Sequence, residues 1–182
     1  ENSNLPNIGL QYIPNFVESV NSLSEKNNLQ NNNMQKINLF SAGRLHKNKG
    51  FDILIKSIVD LKFVFLSIAG DGPLKKDLIN LSQKIGVSDR VKFLGWREDI
   101  SDLFNKSDIF VCPSRHEPLG NVILEAWANN TPVIAADSHG PKELITNNEN
   151  GILFPVGNVS ILSDLIKSLA LDEKKRQKLI HN

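Results

Sequence analysis

The run Pro113-Ser114-Arg115-His116-Glu117-Pro118-Leu119-Gly120-Asn121-Val122-Ile123-Leu124-Glu125-Ala126-Trp127-Ala128 sets two carboxylates, with seven residues between them, around the start of an apolar helix. Glu117 precedes that helix, and Leu119, Gly120 and Asn121 open it. The backbone amides and partial positive charge of a helix start attract anions, and a glycine there lets a phosphate come close. Glu125 follows Asn121 by one turn and so shares its face. It stands among Val122, Ile123, Leu124, Ala126 and Trp127, where a carboxylate without a polar partner is costly. A sugar diphosphate suits this spacing. The diphosphate would rest on the amides, Glu117 would accept from hydroxyls on one side, and Glu125 from hydroxyls on the other. The ordinary alternative for Glu117 is an acid that stabilises a helix N-terminus by about 0.3–1 kcal/mol. His116 reads as a loop residue, and Arg115 as a cation whose carboxylate partner the sequence does not identify.

A second stretch, Gly43-Arg44-Leu45-His46-Lys47-Asn48-Lys49-Gly50, carries two cations between glycines. Arginine offers phosphate a planar fork and lysine a point charge, so Arg44 and Lys49 suit a diphosphate. Two surface cations on a loop would look the same. A third stretch, Gly70-Asp71-Gly72-Pro73, is a tight turn with proline placed to begin a helix. A dinucleotide-binding fingerprint needs a small residue three positions after the second glycine, and Lys75 stands there, which excludes a dehydrogenase loop. Asp71 is accordingly expected to serve the turn.

These stretches all follow candidate strands. Ile37 to Ala42, Phe63 to Ala69, Val91 to Leu94, Ile109 to Cys112, Pro132 to Ala135 and Ile152 to Phe154 are short and mostly apolar, as buried parallel strands are. Helical spacing separates them: Phe51, Leu54, Ile55, Ile58 and Val59; Leu74, Leu78, Leu81 and Ile85; Val159, Leu162, Ile166, Leu169 and Ala170. Strands alternating with helices predict an α/β, Rossmann-like parallel sheet of about six strands with helices on both faces. Ligands of such sheets bind beyond the carboxyl ends of the strands. Residues 1–36, with an extended stretch from Gln11 to Pro14, are expected to be a linker from a preceding domain, and residues 37–182 the folded unit. The segment from Leu171 reads as a charged helix whose Lys174, Lys175, Arg176 and Lys178 form a solvated face.

Composition narrows the partners. The 182 residues suffice for one ordinary core, and Lys+Arg of 21 against Asp+Glu of 20 leaves a net charge of +1. No broad basic field exists for nucleic acid, so any anion site must be local. The single cysteine, Cys112, lies in an apolar run and is expected to behave as a small buried hydrophobe in a reducing compartment. No apolar stretch nears the roughly 20 residues that a membrane span needs.

Taken together, these motifs resemble the C-terminal domain of retaining glycosyltransferases of the GT-B fold, in the glycosyl transferases group 1 family that includes bacterial lipopolysaccharide and capsule transferases. The resemblance covers nearly the whole chain. Ile13-Pro14-Asn15 is similar to the family's lead into this domain, Gly43-Arg44-Leu45 with Lys49-Gly50 to its phosphate clamp, and Glu117 to Glu125 to its glutamate pair. Phe16 replaces a usual glycine and Leu119 a frequent aromatic. By this resemblance Arg44 and Lys49 bind the diphosphate, Glu117 the donor sugar, Glu125 the ribose, and Trp96 and Arg97 lie beside the base. The chain is then half an enzyme, inactive alone, whose missing N-terminal domain brings a glycan or lipid-linked acceptor. The implied reaction moves a sugar from a nucleotide diphosphate to an acceptor hydroxyl with retention, in envelope polysaccharide or lipopolysaccharide synthesis. It is expected in the cytoplasm, peripheral at the inner face of the cell membrane in the full-length protein. No cofactor and no metal are expected: no two aspartates stand two apart, so the Asp-any-Asp metal ligand pair of the other major glycosyltransferase fold is absent. A non-catalytic nucleotide-sugar-binding module and a nucleotide-sugar epimerase of similar fold are the rival classes. Oligomeric state leaves no mark on the sequence.

Overall fold

The structure is a computed structural model that describes residues 36–180. Six strands form one parallel sheet: β1 (Ile37–Ala42), β2 (Val64–Ala69), β3 (Val91–Gly95), β4 (Ile109–Cys112), β5 (Val133–Ala136) and β6 (Ile152–Phe154), in the order β3-β2-β1-β4-β5-β6. The helices are α1 (Phe51–Ser57), α2 (Lys75–Lys84), α3 (Ile100–Asn105), α4 (Asn121–Ala128), α5 (His139–Leu144), α6 (Val159–Leu171) and α7 (Glu173–Ile180).

The period of two along each strand divides the core. Ile37 and Leu39 of β1, Ile109 and Val111 of β4, and Ile134 and Ala136 of β5 face α1, α2, α6 and α7, which bury Leu54, Leu78, Leu162 and Leu179 against them. The alternate residues, Phe40, Phe110, Cys112, Val133 and Ala135, face α3 and α4, which supply Phe104, Ile123 and Ala126. Phe40, Phe104 and Phe110 form an aromatic trio with ring centroids 5.0, 5.1 and 5.8 Å apart. With both faces covered, β4 and β5 are buried at every position, which is why they read as unbroken apolar runs.

The expected α/β sheet is thus present, with boundaries one residue off at β2, β3 and β5. Three expectations change. Helix α2 begins at Lys75, two residues after Pro73, because Leu74 occupies the cap. The short α3 and α5 had no expected counterpart, and α5 contains Gly140-Pro141, which masks a helical pattern. Arg176 is not on a solvated face: it is buried and donates to Leu169 O at 2.8 Å and Ala170 O at 2.7 Å, capping the last carbonyls of α6. The expectations for Gln11 to Pro14, Asn15 and Phe16 lie outside the described residues.

Candidate functional site

Strand order reverses direction between β1 and β4, the switch point near which ligands of such sheets bind, and both strands deliver their following loops there. Here they are also tied together. Gly50, which ends a 3-10 turn (Lys47–Lys49) and precedes α1, has φ +66°, and a Cβ on it would lie 2.1 Å from Pro113 O. Only glycine permits that approach. Around this contact the His116 amide donates to Asn48 O at 3.2 Å. Arg115 donates to Lys47 O at 3.0 Å and grips Asp52 with two bonds of 2.7 and 2.8 Å. Asp52 is thus the carboxylate partner that the sequence left unnamed, and the guanidinium holds its carboxyl below the ordinary carboxylate range.

Lys49 reaches across the same seam to Glu117, Nζ to Oε2 at 2.5 Å. The Ser114 hydroxyl donates to the same oxygen at 3.3 Å, and the Cys112 thiol to Ser114 Oγ at 3.6 Å. Burial pushes the Cys112 thiol above its ordinary range, in keeping with an inert core residue. Glu117 is only 7% exposed, so its carboxylate is a buried, paired charge and not a solvated helix-start acid. Its backbone carbonyl accepts from the Gly140 amide at 2.7 Å. A Cβ at Gly140 would meet the Leu119 and Gly120 backbone at 2.7–2.8 Å, and one at Gly120 would meet Leu144 Cδ1 at 2.8 Å. Gly120 therefore has a packing reason for lacking a side chain, in contact with α5.

Beside this seam lies a cleft of about 550 Å³ beyond β1, β2 and β3. Its walls are Ala42 at the end of β1 with Gly43 and Arg44 after it, Ala69 at the end of β2 with Gly70 and Asp71 after it, Trp96 and Arg97 after β3, Ile100 of α3, and Val122 and Glu125 of α4. The structure brings Arg44, Trp96, Arg97 and Glu125 of the expected site into this one cleft. Lys49 and Glu117 adjoin it, since the Lys49 side chain lies against Gly43. Leu119, Gly120 and Asn121 do not line it, and Val122, one residue on, shares it with Glu125. Asp71, as expected, serves the turn: it accepts from the Gly72 amide at 2.7 Å and from Lys75 Nζ at 2.6 Å.

The charges in the cleft differ in commitment. Arg97 is held by Asp99 at 2.5 and 2.7 Å. The Arg44 side chain is exposed and has no hydrogen bond or ion pair among the described residues. The Glu125 carboxylate also has no partner among them, and burial raises its pKa above the ordinary value. Trp96, another lining residue, is 80% exposed. One uncommitted cation, one uncommitted carboxylate and an open aromatic ring over apolar walls form a site for an anion carrying hydroxyls and a flat ring. Among the lining residues, Gly70 reads in the sequence as part of a turn and Val122 as an apolar helix residue, and nothing there marks Ile100, although the position of Val122 three residues before Glu125 puts the two on one face of α4. Among the described residues no group of three His, Cys, Asp or Glu side chains could hold a metal ion, and no helix is long and apolar enough to cross a membrane.

Comparison with known proteins bears on this geometry. The glycosyl transferases group 1 family matches residues 22–182. The lipopolysaccharide core biosynthesis glycosyltransferase LpsE of Rhizobium meliloti is 39% identical over 141 residues, covering 78% of this chain and 42% of that protein. The structure of HepE from Anabaena in complex with UDP and glucose is 31% identical with a TM-score of 0.78, over 81% of this chain and 42% of that one. The C-terminal domain of LpcC, a glycosyl transferase group 1 family protein from Francisella tularensis, is 27% identical with a TM-score of 0.74, over 81% of this chain and 82% of that domain. The chain spans about two fifths of the length of the curated relatives it matches, 42% and 40% for two of them.

Proposed function

As this chain belongs to the glycosyl transferases group 1 family, we propose that it is the donor-binding half of a two-domain glycosyltransferase and holds a nucleotide-diphosphate sugar in the cleft beyond β1, β2 and β3. The observation that carries this reading is the pairing of an uncommitted Arg44 guanidinium with an unpartnered Glu125 carboxylate across one cleft. The diphosphate lies against Arg44 and Lys49. Glu125 accepts from the ribose hydroxyls, which stabilise its otherwise costly charge. The base lies along Trp96, and the sugar extends towards Glu117. Support comes from HepE, whose structures are described in complex with UDP and with UDP-glucose.

The transfer proceeds to an acceptor hydroxyl with retention of configuration, and the acceptor, a glycan or lipid-linked chain, is brought by a further domain. Negative charge develops on the leaving diphosphate. Arg44 and Lys49 neutralise it in place of a metal ion, and preorganised donors of this kind are each worth about a hundredfold or more in rate. The relationship to lipopolysaccharide core transferases favours a role in envelope polysaccharide synthesis at the inner membrane surface. Incubation of the full-length protein with labelled donors and candidate acceptors tests the reading. Label should move to an acceptor, and interconversion of the donor or binding without turnover would refute it.

A further inference from the structure

The Lys49–Glu117 pair poses a difficulty for the site as assigned. The lysine expected to meet the diphosphate is paired with a carboxylate, Nζ to Oε2 at 2.5 Å. The carboxylate is restrained on the side away from Lys49. Oε2 is held by the buried Ser114 hydroxyl, the Glu117 carbonyl is held by the Gly140 amide, and the side chain is packed with little exposure. Among the described residues no hydrogen bond reaches the other oxygen, Oε1. A diphosphate that takes up Lys49 must therefore share it with a fixed negative charge. A sugar hydroxyl donating to Oε1 would offset that charge, and a nucleotide without the sugar offers nothing in its place.

We propose that Glu117 competes with bound diphosphate for Lys49 and thereby weakens the binding of a sugar-free nucleoside diphosphate, so that it is a specificity-determining residue that separates donor from spent nucleotide. The inference rests on the placement of the diphosphate proposed above. It adds to Glu117 a second role, exercised through Lys49 and independent of any contact with sugar. The consequence is directional. A residue that merely supports the site can only weaken binding when replaced, whereas removal of a competing charge strengthens it. An uncompensated unit charge about one ion-pair distance beyond Lys49 changes anion affinity by about tenfold or more at the effective dielectric of a partly buried site.

The experiment is calorimetric titration of UDP into the wild-type chain, Glu117→Gln and Lys49→Met, with near-ultraviolet circular dichroism to establish that each variant is folded. Glu117→Gln should bind UDP about tenfold more tightly than wild type, and Lys49→Met at least tenfold more weakly. Should Glu117→Gln not fold, Glu117→Ala, which removes the carboxylate together with its hydrogen-bonding needs, takes its place with the same expected gain. Equal or weaker UDP binding by the folded charge-removed variant, with Lys49→Met still impaired, overturns the competition and leaves the site assignment standing. UDP binding unaffected by Lys49→Met, or no binding by wild type, overturns the placement of the diphosphate itself.

Discussion

Replacing Gly50 with alanine strikes the seam on which the whole site is mounted. At φ +66° an alanine sits in the left-handed region, at a cost of about 1–2 kcal/mol. Its Cβ would stand 2.1 Å from Pro113 O, well inside the 3.0 Å that such contacts respect, so the two loops must part by roughly 1 Å. Overpacking of this kind adds about 1–3 kcal/mol. The bonds across the seam lie at 2.5–3.2 Å, and a shift of that size carries the His116–Asn48 bond beyond reach and draws Lys49 from Glu117 and Arg115 from Asp52. Destabilisation of about 2–5 kcal/mol follows, with a fall in melting temperature of about 2–4 °C per kcal/mol for a chain of this size. UDP affinity should drop about tenfold or more as Lys49 leaves its position. Gly86 supplies the control. It has φ +71° but nothing within 4 Å of an added Cβ, so Gly86→Ala carries the backbone cost without the clash. Thermal denaturation and UDP calorimetry on both variants decide the matter. If Gly50→Ala matched Gly86→Ala in melting temperature and UDP affinity, the seam would have no part in positioning the site.

Other outcomes follow from the same geometry. Arg44→Ala should weaken UDP binding far more than uridine binding, by about 1.5–3 kcal/mol in calorimetry, and equal losses would make Arg44 a structural residue. Glu125 has its pKa raised by burial, so its favourable contribution to stability is present below the unfolded value of about 4.5 and is lost as pH rises through the higher folded value. Glu125→Gln should therefore raise the melting temperature at pH 7 while reducing discrimination between ribose and deoxyribose nucleotides; a lower melting temperature would mean the carboxylate has a stabilising partner. Arg90 is buried and donates to Ile58 O, Leu61 O, Val64 O and Val59 O at 2.8–3.3 Å, so Arg90→Met should cost about 3 kcal/mol or more in urea denaturation. The 182-residue chain should bind nucleotide yet label no acceptor, because acceptor positioning contributes about 7–11 kcal/mol and lies outside one wall of a cleft.

Local pattern and distant pairing differ in how far the sequence discloses them. Ile109 to Cys112 and Ile152 to Phe154 are recognisable to the residue because a strand covered on both faces must be apolar throughout. Glu125 stands out for the related reason that a carboxylate amid apolar helix residues calls for a partner. By contrast, Lys49–Glu117 and Arg115–Asp52 join residues 68 and 63 positions apart, and nothing local marks them. They arise because β1 and β4, adjacent in the sheet though not in the chain, deliver their loops to one place. Gly50 is similarly opaque, since a turn glycine and a glycine pressed on Pro113 O look alike in sequence. Arg176 is hidden in the same way, because Lys174, Lys175 and Lys178 around it give the composition of a solvated face while the arginine itself turns inward to the end of α6.

A nucleoside diphosphate is expected to lie between the β1–α1 loop and α4. A crystal structure of this chain with UDP tests it most directly. The diphosphate should lie within hydrogen-bonding distance of Arg44 and Lys49, with a ribose hydroxyl on Glu125 and no metal ion bridging the phosphates. UDP found elsewhere, for instance in the 310 Å³ cavity beside Trp127, Asn130 and Leu179, and none beside Arg44, would mean that the cleft beyond β1, β2 and β3 is not the nucleotide site.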